Sequence, residues 1–267
     1  MDSVLSEGLA LEAKVNNFES CRGIASGPVF IIASGASAKD FPIEQFADVP
    51  MITLNGAISM FIDTDVRPFF YVCSDTSFRL QQPELYTLAL QRSQRIALWK
   101  SEVARLAEIP AGELYALSKA KDLSLLGSVL KREPHHARSR VLWNRRARSI
   151  GFSKDMRHGF FDARTVAYAA LQLAYHVGFT KVFMVGVDLN QASGRFYEND
   201  ASTKSPCGLD THFEGRILPS LRLMAKRVVD ENFEVYNLSE NSRIPQHVIP
   251  KLGIEQVLGM LAAESCS

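Results

Sequence analysis

Short apolar runs, each closed by turn residues, recur along the chain. They are Val29–Ala33 before Ser34-Gly35, Met51–Leu54 before Asn55-Gly56, Phe69–Cys73 before Ser74-Asp75, Arg95–Trp99, Lys181–Val187 before Asp188, and Phe233–Leu238. Most are continuously apolar rather than alternating, and rich in β-branched and aromatic residues. That pattern predicts strands covered on both faces, as in a parallel sheet. Helical pieces are expected between them, at Ala57–Ile62 and Pro83–Gln91. Gly159–Val177 is the strongest: Val166, Ala170, Leu173 and Val177 share one face, and Gly178 is a natural stop. A further helix is expected over 212–230, bent or started late by Pro219, and another over 252–264. Strands alternating with helices predict an α/β, Rossmann-like fold: a mostly parallel sheet flanked by helices.

Two stretches break this rhythm. Residues 1–27 read as a helical or loose lead-in, which leaves 28–267 as a single domain. Residues 118–150 read as a basic inserted arm or lid. Within it, 131–148 holds seven Lys or Arg residues and one acid, with His135, His136 and Trp143 among them. Dense arginine suits phosphates or anionic lipid headgroups; the plainer reading is a solvated charged surface.

Composition narrows the partners. Net charge is +1, so no overall field selects nucleic acid or membrane. Cys21, Cys73, Cys207 and Cys266 are far apart and form no CxxC pair, which argues against a zinc or thioredoxin-like site and suits a reducing compartment. Cys73, inside an apolar run, is expected to be a buried thiol. The first fifteen residues carry acids and no apolar core, unlike a signal peptide, and no stretch of about 18 apolar residues could span a bilayer. The expectation is a cytoplasmic protein, free or peripheral on the inner face of the cytoplasmic membrane.

Ligands in open parallel sheets bind at the carboxyl ends of the strands. Those ends here carry Ser34-Gly35-Ala36-Ser37, Asn55, Ser74-Asp75 and Asp188. The first is a small-residue turn that could approach phosphate closely or be an ordinary βα turn. It is not a GxGxxG fingerprint, and no GxxxxGK[ST] is present. Asn55 could read a base or ribose, or cap a helix. Asp75 and Asp188 could be caps or catalytic groups. No clear Asp-x-Asp motif stands among these residues, which favours a metal-free mechanism. His212, opening a helix after a polar loop, could be a general base or a solvated helix end. His158 could face an anion at the start of its helix.

The segments NGAISMFIDTDVRPFFYVCSDTSF (55–78), GFSKDMRHGFFDARTVAYAALQLAYHVGFTKVFMVGVDLN (151–190), GRFY (194–197), ILPSLRLM (217–224) and VYNLSENSRIPQHVIP (235–250) resemble a lipopolysaccharide core biosynthesis family, WaaZ or RfaZ. Its members add a further keto-deoxyoctulosonate (Kdo) to the inner core. The resemblance runs from about 28 to 250, with 151–197 the most specific part and 100–149 matching poorly. A more distant likeness is to bacterial CMP-sialic-acid-dependent sialyltransferases, which have one Rossmann-like domain (a GT-A-like variant) with a lid and no metal. That likeness implies nucleotide contacts at Ser34, Gly35, Asn55 and near Ser74, and at the strand end Gly186-Val187-Asp188. It sets His158-Gly159 in place of a Ser-Gly pair, Tyr197 near the phosphate and His212 near the catalytic histidine.

Together these readings predict a metal-independent, inverting transferase without a cofactor. Its donor would be CMP-Kdo and its acceptor the lipid A–inner core, with no nucleic acid as partner. Ser34, Gly35, Asn55, Ser74, Gly159, Asp188 and Tyr197 would hold the nucleotide. Lys154, Arg157, His158 and Arg195 would hold sugar or acceptor, with Arg195 and Tyr197 the candidates for the phosphate. His212 is the first candidate base and Asp75 the second. Two rivals stand beside this: a pterin pyrophosphokinase-like enzyme of related fold, needing ATP and magnesium, and a non-enzymatic nucleotide-binding protein of envelope assembly.

Overall fold

A computed structural model describes residues 14–121, 134–139, 145–191, 194–197 and 208–265. Its strands are β1 (Val15–Asn16), β2 (Pro28–Ile32), β3 (Met51–Leu54), β4 (Phe70–Cys73), β5 (Arg95–Trp99), β6 (Glu113–Leu117), β7 (His136–Arg138), β8 (Gly151–Ser153), β9 (Lys181–Val185) and β10 (Glu234–Asn237). Eight of them form one parallel sheet in the order β1-β6-β5-β4-β3-β2-β9-β10, while β7 and β8 pair antiparallel by themselves. The longer helices are α1 (Pro83–Arg92), α2 (Val166–Val177), α3 (Leu218–Arg227) and α4 (Ile254–Ser265).

Why the strands lack alternation is visible in β2. Val29 and Ile31 point into one core, with α2 and α3, while Phe30 and Ile32 point into the other, with α1 and α4. Both faces are covered, so each position must be apolar. Helix α2 is buried nearly all round, because it lies between the main sheet and the β7–β8 layer. Its one amide, Gln172, is fully buried and fully bonded. Its Oε1 accepts from the Ser153 and Phe161 amides (2.9 Å each), and its Nε2 donates to the Phe161 and Tyr168 carbonyls (3.0 Å each).

Four expectations change. Residues 15–16 are the edge strand of the sheet, pairing with β6, so the described part of the lead-in belongs to the domain. Strand β6 was not foreseen; it pairs with β5 along its whole length. Helix α2 begins at Val166, not Gly159. Gly159 (φ 81°) and Arg164 (φ 66°) are in the left-handed region and Thr165 is extended, so the chain cannot be helical there. The helix expected over 212–230 is three pieces: a turn at Leu209–His212, a π-helix at Phe213–Ile217, and α3 with Pro219 in its first turn, where proline is tolerated. Of the inserted arm, residues 136–138 form β7 and Arg145–Arg148 a helical turn; Lys131, Arg132, Arg140 and Trp143 lie outside the described residues, as do Cys207 and Cys266. Cys73 is buried, and burial pushes its thiol up to about 12. No described helix is long and apolar enough to cross a membrane.

Candidate active site

From β2 the chain builds outward through β3, β4 and β5 in one direction, then places β9 and β10 on the other side of β2. The carboxyl ends of β2 and β9 therefore diverge into a crevice, the switch point where open α/β sheets take ligands. A cleft of about 800 Å³ opens there. It is lined by Ser34, Gly35, Asn55, Ser74, Asp75, Asp188, Arg195 and His212, eight of the residues singled out from the sequence.

Gly35 is needed for packing. A Cβ on it would stand 2.4 Å from the Gly186 carbonyl oxygen and 2.6 Å from Asp188 Oδ2. The Asp188 carboxylate is engaged by the β2 turn: Ser37 donates to it from its amide (3.1 Å) and its hydroxyl, which also meets Ser239 Oγ at 2.8 Å. Asp188 thus acts as a clamp between β2 and β9. Asp75, which lines the cleft, accepts at Oδ1 from the Ser77 amide (2.9 Å) and hydroxyl (2.6 Å), while its second oxygen has no hydrogen bond among the described residues. Asn55 is held at φ 45°, rare for a residue with a side chain, and its Oδ1 is buried with no hydrogen-bond partner among the described residues.

His212 ends its helical turn where the π-helix begins, and π-bulges recur at functional sites because they re-aim a side chain. The bulge is anchored by Arg216, whose Nε and Nη2 donate to the Asp162 carbonyl (3.0 and 2.8 Å) and whose Nη1 donates to Ser149 Oγ. Arg195 lies across the β2 turn, bridging to Gly35, and the following amide of Phe196 donates to the Ser34 carbonyl (3.2 Å). Tyr197 does not line the cleft. Its ring packs on Gly56, where a Cβ would be 2.1 Å away, and its hydroxyl accepts from Arg195 Nη1 at 3.3 Å.

Lys154, Arg157, His158 and Gly159 are not among the residues lining the cleft. Arg157 forks onto the buried Asp155 carboxylate (Nε at 2.9 and 3.0 Å, Nη2 at 2.5 Å) and also pairs with Glu19. His158 ends a 3₁₀ turn well before α2 and stacks on His135, with ring centroids 4.6 Å apart. Lys154 lies over the Tyr175 ring. Gly159 lets two backbones cross: a Cβ there would be 2.6 Å from the Ala120 amide nitrogen. Asp155 draws on Arg22, Arg157, His135, His158 and His176. Burial would raise its pKa, but the Arg157 bonds outweigh it and hold the carboxyl well below the usual range. Among the described residues the one His/Asp grouping with metal-ligand proximity is His135, Asp155 and His158, none of which lines the cleft. The literal Asp63-Thr64-Asp65 sequence is exposed on the turn leading into β4, at the opposite end of the sheet.

The cleft also contains residues not singled out beforehand: Trp99, Asp162, Arg164 and Thr165. Trp99 closes β5, a strand end that carried its own signal. The sequence pattern places Arg164 and Thr165 inside a helix, which hides them.

The chain matches the family described as "3-deoxy-D-manno-octulosonic acid transferase WaaZ" over residues 19–255. A protein named "Probable 3-deoxy-manno-octulosonic acid transferase" from Escherichia coli (strain K12) is 28% identical over 249 residues, covering 87% of this chain and 84% of that one. Its namesake from Salmonella typhimurium (strain LT2) is 26% identical over 233 residues, covering 82% and 84%. The fold is similar to that of the MAf glycosyltransferase from Magnetospirillum magneticum AMB-1, with TM-score 0.52 at 14% identity, covering 86% of this chain and about a third (34%) of the other. The match over residues 19–255, which takes in every strand from β2 to β10 and the cleft between them, makes this chain a glycosyltransferase of the WaaZ family of 3-deoxy-D-manno-octulosonic acid transferases.

Proposed function

We propose that this chain transfers Kdo from CMP-Kdo to an inner-core lipopolysaccharide acceptor, by a single inverting displacement without a metal ion, at the cytoplasmic face of the inner membrane. The observation that carries the nucleotide reading is Asn55, strained and with a buried, unpartnered Oδ1 in the switch-point cleft. Strain of this kind persists where the surrounding structure holds a group ready for a ligand. A cytosine amino group or ribose hydroxyl would satisfy that oxygen.

In the reaction the acceptor hydroxyl attacks the anomeric carbon and gives its proton to a base. The bond from that carbon to the phosphate oxygen breaks, and CMP leaves with the electron pair. His212 is the base in this reading, at the mouth of the π-helix. Arg195, steadied by Tyr197, faces the departing phosphate, whose charge it would offset. The metal-free reading rests on the acids available. Of the three carboxylates that line the cleft among the described residues, Asp188 is engaged by Ser37, Asp162 by Lys119, and Asp75 half engaged by Ser77. A divalent cation prefers several free oxygens.

Incubating purified core lipid with CMP-Kdo and this protein should add the mass of one Kdo residue, with EDTA leaving the yield unchanged. CMP at about a hundred times its dissociation constant should stabilise the fold by roughly 2.7 kcal/mol. No mass gain, or a gain abolished by EDTA and restored by magnesium, sinks the corresponding half of the proposal.

A further inference from the structure

Away from the β2–β9 crevice, the cleft reaches a corner where Trp99, Asp162 and Arg164 line it and Lys119 backs it. Building on the Kdo-transfer reading, we infer that this corner is the acceptor subsite, shaped for a pyranose that carries a carboxylate or phosphate.

Trp99 is the platform. It ends β5, and its indole Nε1 donates to the Ser74 carbonyl at 2.7 Å while Phe160 packs on it with ring centroids 5.2 Å apart. The ring is therefore fixed before any ligand arrives, which lowers the entropic cost of binding. It is half-buried at the edge of the cleft, with the Lys119 ammonium 5.5 Å from its ring centroid, so part of its apolar surface still faces the cleft. A pyranose covers such a surface with its C–H face and keeps its hydroxyls at the edges.

Those edges meet acid and base. Asp162 accepts from Lys119 Nζ and from the Arg164 amide, 2.8 Å each, and its remaining lone pairs are available to sugar hydroxyls. Burial works to raise its pKa, but Lys119 and the Arg164 amide outweigh it and keep the carboxyl ionised. Arg216 grips the Asp162 backbone, so the acid is placed as firmly as the ring. The exposed Arg164 guanidinium borders the same corner beside the start of α2, and suits an anionic substituent. Strand β5 is three places from β2 in the sheet, roughly 14 Å at the usual spacing of about 4.8 Å. The corner thus lies on the far side of the cleft from the β2 turn, next to Ser74 at the end of β4.

The test uses the W143F protein, in which Trp99 is the sole tryptophan. Titration with delipidated inner-core oligosaccharide, without donor, should change Trp99 fluorescence to saturation. W99L should raise the acceptor KM about tenfold, an effect of the size of one well-placed contact, with CMP affinity unchanged. W99F keeps a ring but loses the Ser74 bond, and its acceptor KM should fall between those of wild type and W99L. R164Q should weaken a phosphorylated acceptor more than its dephosphorylated form. Silent fluorescence, an unchanged acceptor KM in W99L, or a loss of CMP affinity in its place overturns the assignment. Should the oligosaccharide bind while no Kdo is transferred, the donor reading has failed and the subsite stands; transfer with an unresponsive Trp99 is the reverse.

Discussion

At the scale of single residues, the cleft separates groups that hold the site from groups free to act. Asp188 is bound by Ser37 and joins two strands; His212 and Asp75 line the cleft, and Asp75 has one oxygen without a hydrogen bond among the described residues. His212→Ala should therefore lower kcat by a hundredfold to ten-thousandfold, the usual range for losing a general base, with CMP affinity nearly unchanged. Paired measurements of transfer rate and CMP binding decide it. If Asp75→Asn loses transfer with CMP affinity intact while His212→Ala does not, the base is the aspartate. The sequence pointed to Asp75 because polar residues after apolar runs sit at strand ends, and to His212 because it opens a helix after a polar loop and falls near the catalytic histidine of the sialyltransferase likeness. It could not show that Ser37 engages Asp188, since that contact joins residues 151 positions apart.

Elements were legible to the extent that their apolar pattern was local. Strands β2, β3, β4, β5 and β9 follow from largely apolar runs, β10 from a shorter mixed one, and α1 from Pro83 at its start. Strand β1 is only two residues long and exists because β6 offers it an edge; no local pattern could reveal it. The π-helix at Phe213–Ile217 is likewise set by the Arg216 anchors rather than by propensity. The β7–β8 hairpin anchors the basic arm, and α3 packs beside it with Arg222, Lys226 and Arg227 exposed. These elements put positive charge where the arm attaches. Changing Arg140, Arg145, Arg146 and Arg148 to glutamine should weaken binding to anionic liposomes, each charge counting about 1 kcal/mol near the surface, and the loss should shrink as salt rises. Flotation with and without phosphatidylserine measures it. Equal binding by both proteins would assign the arm to solvent.

For the whole molecule, Asp155 is a joint. It sits under the N-terminal segment through Arg22, under the arm through His135, beside α2 through His176, and within its own turn through Arg157. Its folded pKa is depressed, so its contribution to stability is complete above the unfolded carboxyl value of about 3.9 and is lost as pH falls below it. His176, held neutral by burial, acts in the same direction at higher pH, because protonating it opposes the fold. Asp155→Asn should lower the melting temperature at pH 7, where the ionised carboxylate contributes fully. It should also flatten the decline below about pH 4, where wild type loses that contribution. Thermal melts of both proteins across that range are the measurement; parallel curves would show that the carboxylate does not control the acid limb.

The crevice also imposes an order of assembly. Its two walls, β2 and β9, pair Ile32 with Val185, so about one hundred and fifty residues are synthesised between them. While the ribosome is still making the first half, β2 through β6 can stack side by side, but β2 presents a bare apolar edge where β9 will dock. Nothing that binds the finished crevice can guide or protect that nascent chain. Substrate can rescue a folded but unstable variant, yet it cannot shorten the interval in which that edge is open to another polypeptide. Damage to β9 should therefore appear as aggregation during synthesis, whereas damage to the cleft loops should yield soluble, inactive protein.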